Sequence, residues 1–396
     1  MLKGKSIVLA VTGSIAAYKA ITITRQLVQL EADVNVIMTR GATQFVTPLT
    51  FESLTGKSVI SNMFASATKP GINHVSLAQD SDVVVVAPAT ANIIAKLANG
   101  ISDDIVSSTV LANKKTTIVA PAMNVNMFDN PATQDNLSKL KSRGFIMVGP
   151  EFGSLASGQI GLGRLAGIND IIGTICQVLA IGSDLYNKRV TITAGATQEP
   201  LDPVRYLTNH SSGKMGYALA EAARDRGAIV TLITAPTALD DVTGTTIIRI
   251  TTADEMYQAV KKAASTTDVL IMAAAVSDYR PIIKSDEKLK KQDSIYDLKL
   301  QSTIDILANV TGDFIKVGFA AESSNLLENA KSKLQRKQLD LIVANDITLQ
   351  NSGFGSDNNC VTIINSNGQI DELSLLPKRT VADEILNRVV TKFTEK

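Results

Sequence analysis

A chain of 396 residues is long enough for two or three domains with separate cores, and its 45% hydrophobic residues exclude a chain that is disordered throughout. The 39 basic residues balance the 38 acidic ones, which argues against a basic nucleic-acid-binding surface, and two cysteines cannot form a disulfide framework. No apolar run approaches the roughly 18 residues of a membrane-spanning helix, so we expect a cytoplasmic protein with neither membrane nor nucleic-acid partners.

Short β-branched segments alternate with helical segments in the first half of the chain, which predicts a parallel sheet covered by helices. The predicted strands are residues 6–11, 33–38, 82–87 and 116–120, and an amphipathic helix ends at Leu30. The third strand contains four consecutive valines. Because a strand with helices on both faces needs no polar residue, we predict that this strand is central.

A glycine-rich segment follows, at residues 153–167, and predicts a mobile flap without regular structure. A helix at 170–179 is predicted to close the first domain, and the boundary is placed in the polar run 181–184. The predicted domains are therefore 1–182, with its flap at 151–167, and 183–396.

The same α/β pattern restarts in the second domain. A strand is predicted at 189–194, then a long loop up to Ser212, a helix at 215–226 and a strand at 228–234. The fold class is therefore α/β with two consecutive domains, each built on a parallel sheet.

Ligands of such sheets bind beyond the carboxyl ends of the strands. After the first strand, Gly13 and Ser14 would let a phosphate or flavin approach the backbone, but the run lacks the G-x-G-x-x-G spacing of a dinucleotide site. A plain strand-to-helix turn is therefore an equally good interpretation. The loops at 88–92 and 121–124 follow two other strands and favour one shared pocket.

Two further groups of residues allow alternative interpretations. The two histidines, His74 and His210, are predicted to lie in polar loops, either as solvated side chains or as functional groups. Four lysines at 284–291 form either a solvated mixed-charge loop or a clamp for a triphosphate, to which Lys333 and Lys337 could add.

Taken together, the loops resemble the bacterial bifunctional phosphopantothenoylcysteine decarboxylases and phosphopantothenate–cysteine ligases of coenzyme A biosynthesis, over essentially the whole chain. The decarboxylase-like motifs are GSIAAYK at 13–19, NHVSLA at 73–78, APATAN at 87–92 and PAMNVNM at 121–127. The ligase-like motifs are TAGATQEPLDPVRY at 193–206, NHSSGKMG at 209–216, AAAVSDYRP at 273–281, KLKK at 288–291, GFAAE at 318–322 and AND at 344–346.

The resemblance implies a flavoprotein-type first domain that binds FMN and a Rossmann-like second domain that uses CTP with Mg²⁺. The implied FMN-binding residues are Gly13, Ser14, Thr39, Ser107 and Thr109. The implied CTP-binding residues are Met272, Ala273, Ala274, Asp278, Lys288, Ile304, Asp305, Ile306, Leu307, Phe319, Lys333 and Lys337. The implied catalytic residues are His74, Asn124 and Ser157 in the first domain and Asn209 and Lys288 in the second.

The implied activity is ligation of cysteine to 4'-phosphopantothenate through an acyl cytidylate, followed by decarboxylation to 4'-phosphopantetheine. His74 is the expected acid/base group, Asn124 would orient the substrate carboxylate, and Lys288 would neutralise phosphate charge. The family forms its flavin sites between subunits of trimers and pairs its ligase domains, so a homo-oligomer built from trimers and ligase dimers is expected.

The sequence departs from the family pattern in three places. Ser157 stands where the family has a flap cysteine that donates a proton, and a serine hydroxyl is a much weaker acid than a thiol. Phe128 replaces a tryptophan, and residues 302–306 read STIDI where Lys-Asn-Pro-Asp-Ile is usual. These changes leave open a working ligase attached to a flavin-binding scaffold without turnover. A nicotinamide dehydrogenase would explain the sheets but none of the motifs.

Overall fold

The computed structural model describes residues 2–63, 73–290, 297–322, 325–346, 353 and 355–395. The chain divides into two compact units, Met1–Leu179 and Ala180–Lys396. Each unit is an α/β sheet covered by helices, as the sequence predicts. None of the helices in the described part of the chain combines the length and the apolar character that a membrane span needs.

The first unit is built on a five-stranded parallel sheet with the order β2-β1-β3-β4-β5. Its strands are β1 Ser6–Val11, β2 Asp33–Met38, β3 Val83–Ala89, β4 Thr117–Pro121 and β5 Ile146–Met147. Its helices are α1 Ala17–Gln29, α2 Pro48–Thr55, α3 Asn73–Asp80, α4 Ala91–Asn99, α5 Ile105–Ala112, α6 Val125–Asp129, α7 Pro131–Ser142 and α8 Ile168–Leu179, with a 3₁₀ turn at Ala42–Gln44. The valine-rich β3 is central and buried at every position, which confirms the prediction.

The glycine-rich segment is not irregular, so that prediction is wrong. It forms an antiparallel hairpin of β6 Glu151–Ser154 and β7 Ile160–Arg164. The glycines are needed for docking: a Cβ on Gly161 would lie 2.6 Å from Val125 Cγ2, and one on Gly163 would lie 2.3 Å from the carbonyl oxygen of Met123. Composition alone suggests flexibility here, whereas the glycines allow a close approach of two backbones.

The second unit contains an eight-stranded sheet with the order β12-β11-β8-β13-β16-β17-β18-β19, of which the last two strands are antiparallel. The sheet strands are β8 Arg189–Ala194, β11 Ile229–Thr234, β12 Thr246–Arg249, β13 Val269–Met272, β16 Ile315–Glu322, β17 Leu341–Asp346, β18 Asn358–Asn365 and β19 Ile370–Pro377. The helices are α9 Lys214–Arg224, α10 Ala253–Ala264, α11 Ile306–Asn309, α12 Leu326–Arg336 and α13 Lys378–Glu395. The first six strands follow the doubly wound 3-2-1-4-5-6 order, which confirms the Rossmann-like fold.

Two small hairpins lie outside this sheet. The loop predicted at 195–212 contains β9 Gln198–Pro200 and β10 Tyr206–Thr208, and the region after β13 contains β14 Tyr279–Pro281 and β15 Leu300–Ser302. Strands of three residues are too short to give a period-2 pattern, so the sequence does not reveal them. Residues 291–296 of the lysine-rich loop lie outside the described residues.

Candidate active sites

The first cavity, of about 530 Å³, lies in the first unit where the strand order reverses between β1 and β3. Ligands of doubly wound sheets bind at this position. The cavity is lined by Thr12, Gly13, Ser14, Thr39, Arg40, Gly41, Thr90, Ala91, Asn92, Ile93, Lys96, Asp104, Ala122, Met123 and Met127. The motifs after β1, β3 and β4 therefore meet in one pocket.

The backbone around Gly13 leaves no room for a side chain. A Cβ at Gly13 would lie 3.0 Å from the carbonyl carbon of Gly41, so two loops cross with only glycines between them. The Thr12 hydroxyl donates to Pro88 O over 2.7 Å, and Ser14 Oγ accepts from Ala16 N over 3.2 Å. These contacts fix the turn that presents its N–H groups and hydroxyls to the cavity.

Two of the residues implied for FMN face elsewhere. Ser107 and Thr109 are fully buried in α5, and neither lines the first cavity in the described chain. The Thr109 hydroxyl donates to Ile105 O over 2.7 Å, whereas Ser107 forms a capping box with Asp104. Gly13, Ser14 and Thr39 do line the cavity.

An ion-pair cluster that the motifs do not predict borders the same cavity. Lys96 Nζ lies 2.6 Å from Asp103 Oδ1 and 2.8 Å from Asp104 Oδ2. Burial alone would raise the pKa of Asp104, but the hydrogen bonds from Lys96 and from the backbone of Ser107 outweigh it and lower that pKa. The shift of the Asp104 pKa favours its charged form beside Lys96, and this ion pair holds the start of α5 at the cavity.

The second cavity, of about 350 Å³, lies between the start of α1 and the β6–β7 hairpin. It is lined by Ser14, Ile15, Ala16, Tyr18, Lys19, Ala122, Met123, Asn124, Ser154, Leu155, Ala156, Ser157, Gly163, Arg164 and Leu165. Asn124 joins the two sides, since its Nδ2 donates to Ser157 Oγ over 3.1 Å and to Gln159 Oε1 over 2.7 Å. Ser14, Ala122 and Met123 line both of these cavities, so the second cavity continues the first.

His74 lies at the start of helix α3 and not in a loop, so that part of the prediction is wrong. Helix α3 has only eight residues and few apolar positions, which is why its sequence resembles a polar loop. The His74 side chain is half-buried and lines neither of the two cavities within the described chain. His210 is exposed in a loop, as predicted.

The third cavity, of about 440 Å³, lies in the second unit at the carboxyl ends of β13 and β16. It is lined by Met272, Ala274, Val276, Asp278, Tyr279, Ser302, Thr303, Ile304, Asp305, Ile306, Leu307, Phe319, Lys333 and Lys337. Ten of the residues implied for CTP are in this set. Lys337 Nζ forms an ion pair of 2.9 Å with Asp305 Oδ1, so the charges of these two side chains neutralise each other.

The remaining ligase residues lie beside this cavity or away from it. Asn209 Nδ2 donates to Val276 O over 3.2 Å, which places Asn209 next to the cavity wall. Lys288 is exposed and, like Ala273, does not line the cavity in the described chain. Its neighbour Leu289 donates its N–H to Asp202 Oδ2 over 3.2 Å, which fixes this loop on the turn after β9.

The sequence motifs do not point to the buried Lys316, because it lies within strand β16. Lys316 is 7% exposed, and its Nζ donates to Leu307 O over 3.1 Å and to Val310 O over 2.8 Å. Burial lowers the pKa of Lys316, against the opposing effect of Asp340 and Asp305. Lys316 therefore ties down helix α11, whose first residues line the third cavity. Among the described residues, no group of three or more His, Cys, Asp or Glu side chains is placed to hold a metal ion.

Comparison with known proteins matches both units. Residues 1–180 match the family model described as Flavoprotein, and residues 185–393 match the DNA/pantothenate metabolism flavoprotein C-terminal domain. The chain is 44% identical over 395 residues to the coenzyme A biosynthesis bifunctional protein CoaBC of Bacillus subtilis (strain 168), covering 98% of this chain and 97% of the relative.

A second relative agrees with this match, and one solved structure is similar to part of the chain. The protein of the same name from Escherichia coli (strain K12) is 41% identical over 403 residues, covering 100% of this chain and 99% of the relative. The crystal structure of the C-terminal domain of a coenzyme A biosynthesis bifunctional protein CoaBC is 38% identical, with a TM-score of 0.46, covering 54% of this chain and 100% of that one.

Proposed function

Because the chain belongs to the family of bifunctional coenzyme A biosynthesis proteins, we propose that it catalyses two consecutive reactions at the cavities described above. It is an enzyme with ligase and decarboxylase activities, and the similarities do not support a first domain reduced to a flavin-binding scaffold. The observation that carries the proposal is that two family models, matched one to each unit, coincide with a motif-lined cavity at the carboxyl ends of the strands of each unit.

We assign the decarboxylase to residues 1–182 and the ligase to residues 183–396. The ligase joins cysteine to 4'-phosphopantothenate at the expense of CTP. The decarboxylase then converts phosphopantothenoylcysteine to 4'-phosphopantetheine and CO₂.

FMN fits the first cavity. The close crossing of Gly13 and Gly41 brings two loops together at the cavity wall, where Ser14 and Thr39 offer hydroxyls to a phosphorylated group. Arg40 lines the same wall and supplies a positive charge for the phosphate. When bound, the flavin would accept a hydride from the substrate's thiol-bearing carbon and return it later.

The protein groups of the second cavity handle the rest of this reaction. Asn124 is held by Ser157 and Gln159 and would orient the substrate carboxylate for loss of CO₂. His74 would exchange protons with the substrate, and it would reach the site from a neighbouring copy, because it lines neither cavity of its own chain.

The third cavity would bind the groups that activate the carboxylate in the ligase reaction. A carboxylate is a poor electrophile, so CTP converts it to an acyl cytidylate, with release of pyrophosphate, and the amine of cysteine then attacks the acyl carbon. Lys333 and Lys337 line the cavity and would neutralise the triphosphate, together with Mg²⁺ carried on the phosphates. Asn209 would hold the reacting carboxylate at the edge of the cavity.

Lys288 would complete the ligase site from a second copy, since it is exposed outside the cavity in its own chain. We propose that the first units assemble as trimers and the second units as pairs, because His74 and Lys288 would each complete a site of a neighbouring copy. A particle mass in solution that is not a multiple of three chains would contradict this assembly.

The variant His74→Ala tests the decarboxylase assignment. We expect the FMN-loaded variant to release no CO₂ from phosphopantothenoylcysteine, because the proton-exchanging group is lost. His210→Ala is the matched control, since His210 lies in the other unit, and should release CO₂ at the rate of the unmodified protein. Substantial CO₂ release by His74→Ala would reject the role of His74.

A further inference from the structure

The second cavity contains several side chains with exchangeable protons. In the described chain these are Ser14, Tyr18, Lys19, Asn124, Ser157 and Arg164. Unperturbed lysine and tyrosine lose a proton near pH 10, whereas the guanidinium group keeps its proton above pH 12. Serine hydroxyls and amides are weaker acids than lysine or tyrosine. Lys19 and Tyr18 are therefore the two strongest acids of the cavity wall.

Of these two side chains, Lys19 is the less exposed and is held against the hairpin. Its Nζ donates to Leu165 O at the base of the hairpin over 3.4 Å, which uses one of its three protons. Burial and then the positive charge of Arg164 lower the pKa of Lys19, while Glu151 opposes them. Glu151 is itself occupied, as it accepts from Gly167 N and lies 3.9 Å from Arg164. Tyr18, by contrast, is 59% exposed.

Ser157 lies in the turn of the β6–β7 hairpin, beside Asn124, with its hydroxyl hydrogen still available. The Asn124 amide donates to Ser157 Oγ, so the serine acts as acceptor in that bond. Its hydroxyl hydrogen is not consumed there and can be donated into the cavity, provided that another acid replaces it.

Building on the proposed decarboxylase, we propose that Lys19 supplies the proton that completes the reaction, and that Ser157 relays it. Loss of CO₂ leaves an ene-thiolate on the substrate. One proton must add to the carbon that lost CO₂, which gives a thioaldehyde. A hydride returned by the bound flavin would then convert the thioaldehyde to the thiolate of 4'-phosphopantetheine. Lys19 gives up one proton per turnover and regains it from water, so atoms and electrons balance.

The amounts of CO₂, ene-thiol and 4'-phosphopantetheine formed in one turnover test this proposal. The FMN-loaded full chain and its Lys19→Gln variant would be given phosphopantothenoylcysteine without oxygen, and CO₂, the ene-thiol and 4'-phosphopantetheine would be measured over one turnover. We expect equal amounts of CO₂ and 4'-phosphopantetheine from the unmodified protein. We expect Lys19→Gln to release CO₂ at a similar rate but to form 4'-phosphopantetheine about 100-fold more slowly, with the ene-thiol accumulating.

Rescue separates a proton donor from a structural residue. The double variant Lys19→Gln, Ser157→Cys should restore equal CO₂ and 4'-phosphopantetheine, because a thiol with a pKa near 8.5 is itself an acid of sufficient strength. If Lys19→Gln fails to retain FMN, Lys19→Arg gives the same test, since it keeps the charge but holds its proton too tightly to donate it.

Several results would overturn the proposal. They are normal 4'-phosphopantetheine formation by Lys19→Gln, loss of CO₂ release as well, failure of Ser157→Cys to restore the ratio, or ene-thiol accumulation by Tyr18→Phe in place of Lys19→Gln. Failure of the decarboxylase assignment is distinguishable, because the unmodified protein would then release no CO₂.

Discussion

Charge pairing at single residues decides what the third cavity can bind. Asp305 and Tyr279 place oxygen atoms along its wall, and Asp278 adds a second carboxylate to a site proposed for an anionic nucleotide. Lys337 is paired with Asp305, so its ammonium both contacts the site and cancels a charge that would repel phosphate.

Lys337→Met should therefore raise the KM for CTP. Because the variant removes a cation and leaves Asp305 unpaired, we expect an increase of about tenfold or more, from the 1.5–3 kcal/mol typical of hydrogen bonds to charged groups. Steady-state pyrophosphate release at varied CTP measures it. Lys331→Met, on the exposed side of α12, which ends just before Lys337, is the control and should leave KM unchanged. An unchanged KM in Lys337→Met would remove Lys337 from the CTP site.

At the scale of elements, the hairpin β6–β7 acts as one wall of a site because glycines dock it on the chain after β4. Met123 N donates to Gly163 O over 2.9 Å, and Gly163 has a φ of +145°. An added methyl group at Gly163 would meet the Met123 carbonyl oxygen, so the hairpin would have to move away from Asn124.

Gly163→Ala should consequently impair the decarboxylase but not the ligase. We expect CO₂ release to fall by about 100-fold, because displacement of a positioning group by about 1 Å has effects of this order. Gly153→Ala is the matched control, since a Cβ there makes only ordinary contact, 3.5 Å from Arg164 Cδ. Equal CO₂ release from both variants would show that the hairpin position does not matter.

Helix α11 depends in the same way on Lys316. The four residues of α11 are too few for a stable isolated helix. The hydrogen bonds from Lys316 Nζ to Leu307 O and Val310 O hold this turn in place.

Lys316→Met should weaken both the fold and the ligase. Two buried carbonyl groups lose a donor, so we expect the free energy of unfolding to fall by about 1–3 kcal/mol and the KM for CTP to rise. Denaturant unfolding and pyrophosphate release measure the two effects, with Lys331→Met as the surface control. A variant of full stability and unchanged KM would show that Lys316 does not support the cavity.

Many strands and helices were predictable from the sequence, because their hydrophobic residues recur in a regular pattern. The strands at 6–11, 33–38 and 189–194 occur with the predicted bounds, because buried β-branched runs end at charged or glycine residues. The hairpin of the flap, helix α3 and the cluster of Lys96 with two aspartates were missed. The hairpin docks on Met123 and Val125, which are distant from it in the chain. Helix α3 is too short and too polar to show a helical period, and the ion pairs of Lys96 leave no trace in a hydrophobic pattern.

For the candidate sites, motifs predicted which loops would meet, but not which side chains face inwards. Gly13, Ser14, Asn124 and Ser157 line cavities, whereas Ser107 and Thr109 point into α5 and bond within it. Side-chain direction on a helix depends on which face packs against the sheet. In α5 nearly every position is buried, so the sequence shows no face from which to choose.

For the whole molecule, each unit places its cavity at the carboxyl ends of parallel strands of its own sheet, at the β1–β3 reversal of strand order in the first unit and at β13 and β16 in the second. The product of the ligase is the substrate of the decarboxylase. One chain therefore performs both reactions in sequence.

The most direct test follows the carboxyl carbon of cysteine. The purified FMN-loaded protein would be incubated with carboxyl-labelled cysteine, 4'-phosphopantothenate, CTP and Mg²⁺, and labelled CO₂ and pyrophosphate would be measured together. We predict that both appear, in equal amounts at completion, and that omission of CTP abolishes both. Pyrophosphate without labelled CO₂, or neither product, would contradict the account.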